Sequence, residues 1–344
     1  MNSATTDPTP IFEHFRGSYG SELLTAAVAH FRLFEKLAAT ALTLEELAKR
    51  LELESRPLVV LTCALRAMGL LTQDFDGRLA LTGLAREHLL AEGPLDVSAY
   101  VGLTAQSPGV LEMVERLRTN RPAGARSDEE GTAFIYREGV ESAMEREASA
   151  RHLTLSLAGR AKNVAPALAK NYPLDDARLL IDVGGGSGIY SIAWLLRHPK
   201  LRAIVFDRPE VLKVAEEFAC QFGVADRLQL SPGDMFVDEI PHGDVLLLSN
   251  ILHDWDVPEC RTLVARCAAA LPAGGRLLIH DVFLNDNLDG PLPIALYSAA
   301  LFTLTEGRAY SAAEYREMLA SAKLSPQAIV PTLIHCGVLP GVKS

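Results

Sequence analysis

The apolar positions of this chain keep one rhythm up to about residue 105 and another from residue 178 onward. In residues 21–38, Leu23, Leu24, Ala27, His30, Phe31 and Phe34 recur at helical spacing. Thr43 and Glu46 form a T-x-x-E pair ahead of Leu47, Ala48 and Leu51, which predicts a capping box and a second helix. Ser55 predicts the start of a third, running through Leu58, Leu61, Leu65 and Met68 and ended by Gly69. The stretch LLTQDFDGRLALT then sets two short alternating runs around Asp76-Gly77, a hairpin signal. Three helices and a hairpin predict a winged helix in residues 1–105. Residues 109–170 read as mostly helical linkers, with Arg126–Gly131 as an exposed loop.

In the second half, short β-branched runs at 178–183, 202–207, 227–231, 244–249 and 275–283 alternate with helical patterns at 188–198, 209–222 and 257–271. This alternation predicts an α/β fold, a doubly wound, Rossmann-like sheet, in residues 106–344. Sheets of this kind bind ligands at the carboxyl ends of their strands.

The first strand runs into a glycine loop and a helix: LLIDVGGGSGIYSIAWLL, residues 179–196. Strand, glycine loop and helix allow close backbone approach and offer free N–H groups. A dinucleotide loop, G-x-G-x-x-G/A, meets Ile189 at its third small position. A P-loop needs a lysine, and there is none in 171–199. A hydrolase elbow, G-x-S-x-G, fits Gly185 and Ser187 but again meets Ile189. What remains is G-x-G-x-G after an acid, Asp182, the pattern of S-adenosylmethionine (AdoMet) methyltransferase loops.

The other strand ends agree. Asp207 ends the second strand, where an acid accepts from a ribose diol. In SPGDMF, Asp234 can accept from an adenine amino group and Met235 can pack on the ring. The fourth strand ends in LLLSNILHDWDVPEC. There Asp256 and Glu259 suit a helix cap, while His253 precedes it at the mouth of the site. His280 lies within the fifth strand and is the lesser base candidate. Its neighbour Asp281 points to the other face and could orient His253. The helical stretch PIALYSAALFTLT, 293–305, offers Tyr297 and Phe302 to an acceptor pocket, or serves simply as core.

Composition narrows the partners. Of 344 residues, 49% are hydrophobic and 22% charged, as in a globular enzyme with a real core. A net charge of −10 argues against a nucleic-acid surface. The candidate recognition helix, 56–71, carries only Arg56 and Arg66 among apolar residues, so a DNA-binding regulator is disfavoured and a homodimer is expected instead. The apolar runs are too short to span a bilayer, and MNSATTDPTP lacks the pattern of a secretory signal. Five scattered cysteines without C-x-x-C suggest reduced thiols in a cytoplasmic protein, and no metal-ligand cluster is evident.

Taken together, DVGGGSG, FDRPEV, GDMF, LHDW and EGRAYSAAEY make the chain similar to the plant caffeic-acid-type O-methyltransferase family and its bacterial natural-product branch. The resemblance covers nearly the whole chain. It implies AdoMet as cofactor, contacts to it from Asp182, Gly184, Gly186, Asp207, Arg208, Asp234, Met235, Phe236 and Ser249, and His253 as general base with Asp281 beside it. It also implies a small hydroxylated aromatic or polyketide-like acceptor and a homodimer; Asn250, Tyr297 and Phe302 are the residues expected to meet the acceptor. Two positions depart from the family: Ser249 stands where a lysine is frequent, and Ala309 stands where a second glutamate follows Gly307-Arg308. Methylation of carbon in an enolisable keto acid, and a non-methylating use of AdoMet, stay open.

Overall fold

The computed structural model describes residues 1, 5–91, 93–121 and 147–344; the loop expected at 126–131 lies outside them. The chain divides into two compact units. One comprises Glu13–Ala133 with Leu284–Ala309, the other Met1–Phe12, Phe134–Phe283 and Tyr310–Ser344. The sequence pattern alone suggests a single boundary near 105; the packing instead returns residues 284–309 to the helical unit.

In the helical unit the capping box forms as predicted. Thr43 Oγ accepts from the Glu46 N–H, Glu46 accepts from the Thr43 N–H, and helix Leu44–Leu51 follows. Helix Ser55–Ala67 ends before Gly69, whose φ of 75° is left-handed. The hairpin pairs β1, Leu71–Gln73, with β2, Leu79–Leu81. The single helix expected over 21–38 is instead broken. Gly20–Thr25 passes through a π turn at Ala26–His30, and Arg32 at φ 47° separates Leu33–Ala38. The apolar spacing survives the break because Leu23, Phe31 and Phe34 all still reach one core.

That core also takes Phe302, from helix Leu292–Leu304, at 0% exposure. Arg56 is buried with it. Its guanidinium lies 4.7 Å from the Phe302 ring centre and donates to the carbonyls of Thr305 and Gly307. Arg66 donates to the carbonyls of Asn287 and Leu288. Both arginines of the would-be recognition helix are thus engaged inside the unit.

The other unit is built on an eight-stranded sheet. Its strands are β3, Leu179–Val183; β4, Arg202–Asp207; β5, Leu228–Pro232; β6, Val245–Ser249; β7, Arg276–Val282; β8, Leu324–Pro326; β9, Val330–Pro331; and β10, Cys336–Lys343. Their order is β5-β4-β3-β6-β7-β10-β8, with β9 beside β10. The first five are parallel and β10 is antiparallel to β7. The order reverses between β3 and β6, which opens a crevice at their carboxyl ends. Register sets Ser249 directly opposite His280, so the residues just past β6 and at the end of β7 are neighbours.

Candidate active site

The loop after β3 is shaped by three left-handed glycines, of which two show why side chains are excluded. A Cβ on Gly184 (φ 67°) would stand 2.6 Å from Ile251 Cδ1 and 3.8 Å from Met235 Sδ. Chain from beyond β5 and β6 therefore closes onto the first glycine. Gly186 differs: nothing lies within 4 Å of the place its Cβ would take. Its left-handed φ of 56° sets the conformation, and the space above it is open.

Asp207, at the tip of β4, receives the Gly186 N–H at 2.8 Å and the Arg208 N–H at 2.7 Å. Burial pushes its carboxyl up, and these two backbone donors oppose the shift. Beyond it a cleft of about 490 Å³ is lined by Arg208, Pro209, Glu210, Gly233, Asp234 and Asp238. Asp234 Oδ1 accepts from the Phe236 N–H, and Oδ2 stands 3.8 Å from the Arg208 guanidinium. Phe236 packs edge-on to Trp255 at 4.8 Å, and Met235 is held through its carbonyl by Arg266. Asp182, 1% exposed, takes the Ser191 hydroxyl on Oδ2 while its Oδ1 has no partner among the described residues. Burial raises its pKa to about 7 against that hydrogen bond. An orphaned carboxylate oxygen, an open glycine and an acid at a strand tip fit a nucleoside bearing an amino acid.

The residues past β6 make the second half of the site. Asn250 adopts φ 58°, and a short 3-10 turn, Leu252–Asp254, carries His253. The turn is pinned by Cys260, whose thiol donates to the Leu252 carbonyl, and by Tyr310, whose hydroxyl donates to Trp255 O at 2.6 Å. His253, 4% exposed, holds its Nδ1 2.7 Å from Asp281 Oδ1. Its Nε2 lies 3.7 Å from Asp254 Oδ1. Burial disfavours the imidazolium, but the charges of Asp281 and Asp254 outweigh it and raise the His253 pKa above its usual value. Burial would raise Asp281 as well; the facing His253 and the hydrogen bonds it receives hold it below the usual range. Asp254, partly buried and without a hydrogen bond to its carboxylate among the described residues, is pushed up to about 7 by desolvation.

Several candidates stand elsewhere. Ser249 Oγ lies 2.8 Å from His280 Nδ1 and receives the Asn250 amide, so its hydroxyl is committed inside the sheet unit. Asn250 is likewise held, its Oδ1 by Arg160 at 3.0 Å and its Nδ2 by the Tyr190 hydroxyl. His280 sits on this opposite face. Burial, then the Arg160 charge, lowers its pKa to about 3, so it stays neutral. Phe302, expected in an acceptor pocket, is instead a core side chain whose face is occupied by Arg56. Tyr297, on the same helix, is half-buried beneath the Arg16 guanidinium at 4.5 Å. Asp256 caps its helix through the Val257 N–H. Sequence reasoning missed Asp254, Arg160 and Tyr190, since single polar residues at helical spacing give no periodic signal.

Residues 129–325 match the O-methyltransferase domain family. The chain is 36% identical over 321 residues to a 3-hydroxy-5-methyl-1-naphthoate 3-O-methyltransferase of Streptomyces sahachiroi, covering 92% of this chain and 90% of that one. The chain belongs to the O-methyltransferase family. An O-methyltransferase family 2 protein of Planctomyces limnophilus, solved with apigenin, shares 49% identity at a TM-score of 0.90, over 100% of this chain and 98% of that one. Human N-acetylserotonin methyltransferase, solved with AdoMet, shares the fold at 21% identity and a TM-score of 0.58, over 100% of both chains. This O-methyltransferase is accordingly AdoMet-dependent.

Proposed function

We propose that this O-methyltransferase methylates a hydroxyl of a small, flat aromatic or polyketide-like acceptor, with His253 as general base. The observation that carries the reading is the 2.7 Å contact of His253 Nδ1 with Asp281. It supports a tautomer with the ring proton on Nδ1, in which Nε2 is the atom that takes the acceptor's proton. The acceptors named for the naphthoate and apigenin relatives support the aromatic class. Asp182, Gly184, Gly186, Asp207, Asp234 and Met235 would hold the cofactor, with Arg208 and Phe236 flanking its cleft. When bound, AdoMet supplies an electrophilic methyl group.

A phenol has a pKa near ~10, so at neutral pH it needs a base. Alignment of acceptor oxygen and methyl carbon contributes on the order of 7–11 kcal/mol. Proton removal by His253 adds roughly 10²–10⁴-fold. His253→Ala is expected to bind AdoMet normally by calorimetry yet lose turnover by ~10²–10⁴-fold. Because the base must be neutral, activity should rise with pH through a value above that of ordinary histidine, following the upward shift of His253. Near wild-type turnover in a folded His253→Ala would replace base catalysis with proximity alone.

The helical unit reads as a winged helix that serves dimerisation. Tyr100, Leu103, Leu95 and Leu84 expose 77%, 76%, 53% and 53% of their surface, apolar groups that a second copy of the chain would cover. A cytoplasmic setting is supported by free cysteines, since none of the five is bridged. No described helix is long and apolar enough to cross a membrane.

A further inference from the structure

We propose that Tyr315 is a positioning residue of this enzyme: its hydroxyl fixes the Asp281 carboxylate and, through it, the tautomer and orientation of His253. The inference rests on His253 being the base. It concerns how Asp281 is held in a chain where Ala309 stands in place of an acid that the family resemblance leads one to expect.

Asp281 is 1% exposed, so both its oxygens need donors from the protein. Oδ1 takes two, His253 Nδ1 at 2.7 Å and the Val282 N–H at 2.8 Å. Oδ2 takes the Tyr315 hydroxyl at 3.0 Å, its one donor among the described residues. Tyr315 is itself fully buried. A buried phenol keeps its hydroxyl only where a partner is waiting, and phenylalanine would fill the same apolar space.

The ring cannot drift. Ser311 and Glu314 form a capping box at the start of helix Ala312–Ser321, and the Tyr315 N–H returns to the Ser311 carbonyl. Phe283 stands edge-on to the Tyr315 ring at 5.8 Å, and Tyr310 lies against it at 5.4 Å. Tyr310 in turn holds Trp255, which closes the His253 turn. One helix start therefore fixes the hydroxyl, and its neighbour fixes the turn.

Without the Tyr315 hydroxyl, Asp281 Oδ2 is left buried and bare. The carboxylate can then rotate, so that Nδ1 meets either oxygen. Its charge is also less dispersed, which favours the imidazolium. Asp254 from the His253 turn and Tyr315 face this pair, Cys260 from helix Val257–Ala270 and Tyr310 face Tyr315 in turn, and the Arg160 charge opposes protonation of His253. None of the others donates to Oδ2, so the hydroxyl has no substitute.

The test is a double-mutant cycle. Tyr315→Phe, Asp281→Asn and the double variant are compared for kcat, acceptor KM and pH profile, with AdoMet affinity read by calorimetry. Tyr315→Phe should lower kcat roughly tenfold, the worth of one hydrogen bond to a charged group. Acceptor KM and AdoMet affinity should hold, and the acid limb should move to higher pH. In the Asp281→Asn background the same substitution should change kcat by less than about twofold. Equal losses in both backgrounds, or a wild-type profile in Tyr315→Phe, would overturn the proposal. Nitrogen NMR of labelled histidine gives a readout independent of turnover: Tyr315→Phe should alter the His253 tautomer signals, and unchanged signals would also overturn it. If His253→Ala keeps its turnover, the base reading fails first; if it is inactive and the cycle is additive, only the role of Tyr315 fails.

Discussion

At the scale of single residues, the acid at each strand tip does different work. Asp182 is dry and half-satisfied, Asp207 is doubly held by backbone N–H groups, and Asp234 faces the cleft. For a ribose diol, Asp207 is the best placed, since its carboxylate is already aimed by Gly186 and Arg208. Asp207→Ala is expected to weaken AdoMet binding by about 1–3 kcal/mol, the cost of leaving a buried polar partner unmatched. Calorimetry on the folded variant measures this, and an unchanged affinity would remove Asp207 from the site. The place of Asp207 at a strand tip was legible because the strand pattern ends on it. Ser249 and Phe302 were not, because sequence position says where a residue sits but not which face its side chain takes. Ser249 turned toward His280, and Phe302 toward Arg56.

At the scale of elements, the predicted strands of the parallel sheet and the capping box at Thr43 were legible because each has a local cause. Period, length and flanking glycines mark the strands, and a hydroxyl three residues before a glutamate marks the box. The break at Ala26–His30 and Arg32 was not legible: no glycine or proline stands there, and tertiary packing decides it. The antiparallel β10 was equally hidden, because its partner β7 is distant in sequence. For the box itself, Thr43→Ala should cost about 1 kcal/mol of stability. A denaturant midpoint falling with unchanged slope would show it; no shift would mean that the helix is held by packing of Leu47 and Leu51 alone.

At the scale of the whole molecule, the exposed apolar residues of the helical unit bear on assembly. A chain of 344 residues with so much uncovered leucine and tyrosine surface is expected to run as a dimer at micromolar concentration. Light scattering decides this, and a monomer there would count against it. Fold class followed from the sequence because alternation of strand and helix spans many elements and averages over local exceptions. The division of the chain into units did not, since it depends on which distant segments meet.

The return of residues 284–309 to the helical unit has a consequence for the order of events during synthesis. Arg56 is held by Asn120, but two of its carbonyl partners, Thr305 and Gly307, lie in the returning segment. A chain emerging from the ribosome must therefore carry an unfinished first unit while the strands β3 to β7 are still being made. Its helices can form early and Asn120 can receive Arg56, but the two remaining carbonyl acceptors are missing until the later segment arrives, and closing so long a loop is slow. A fragment that stops at residue 105 inherits the same gap permanently.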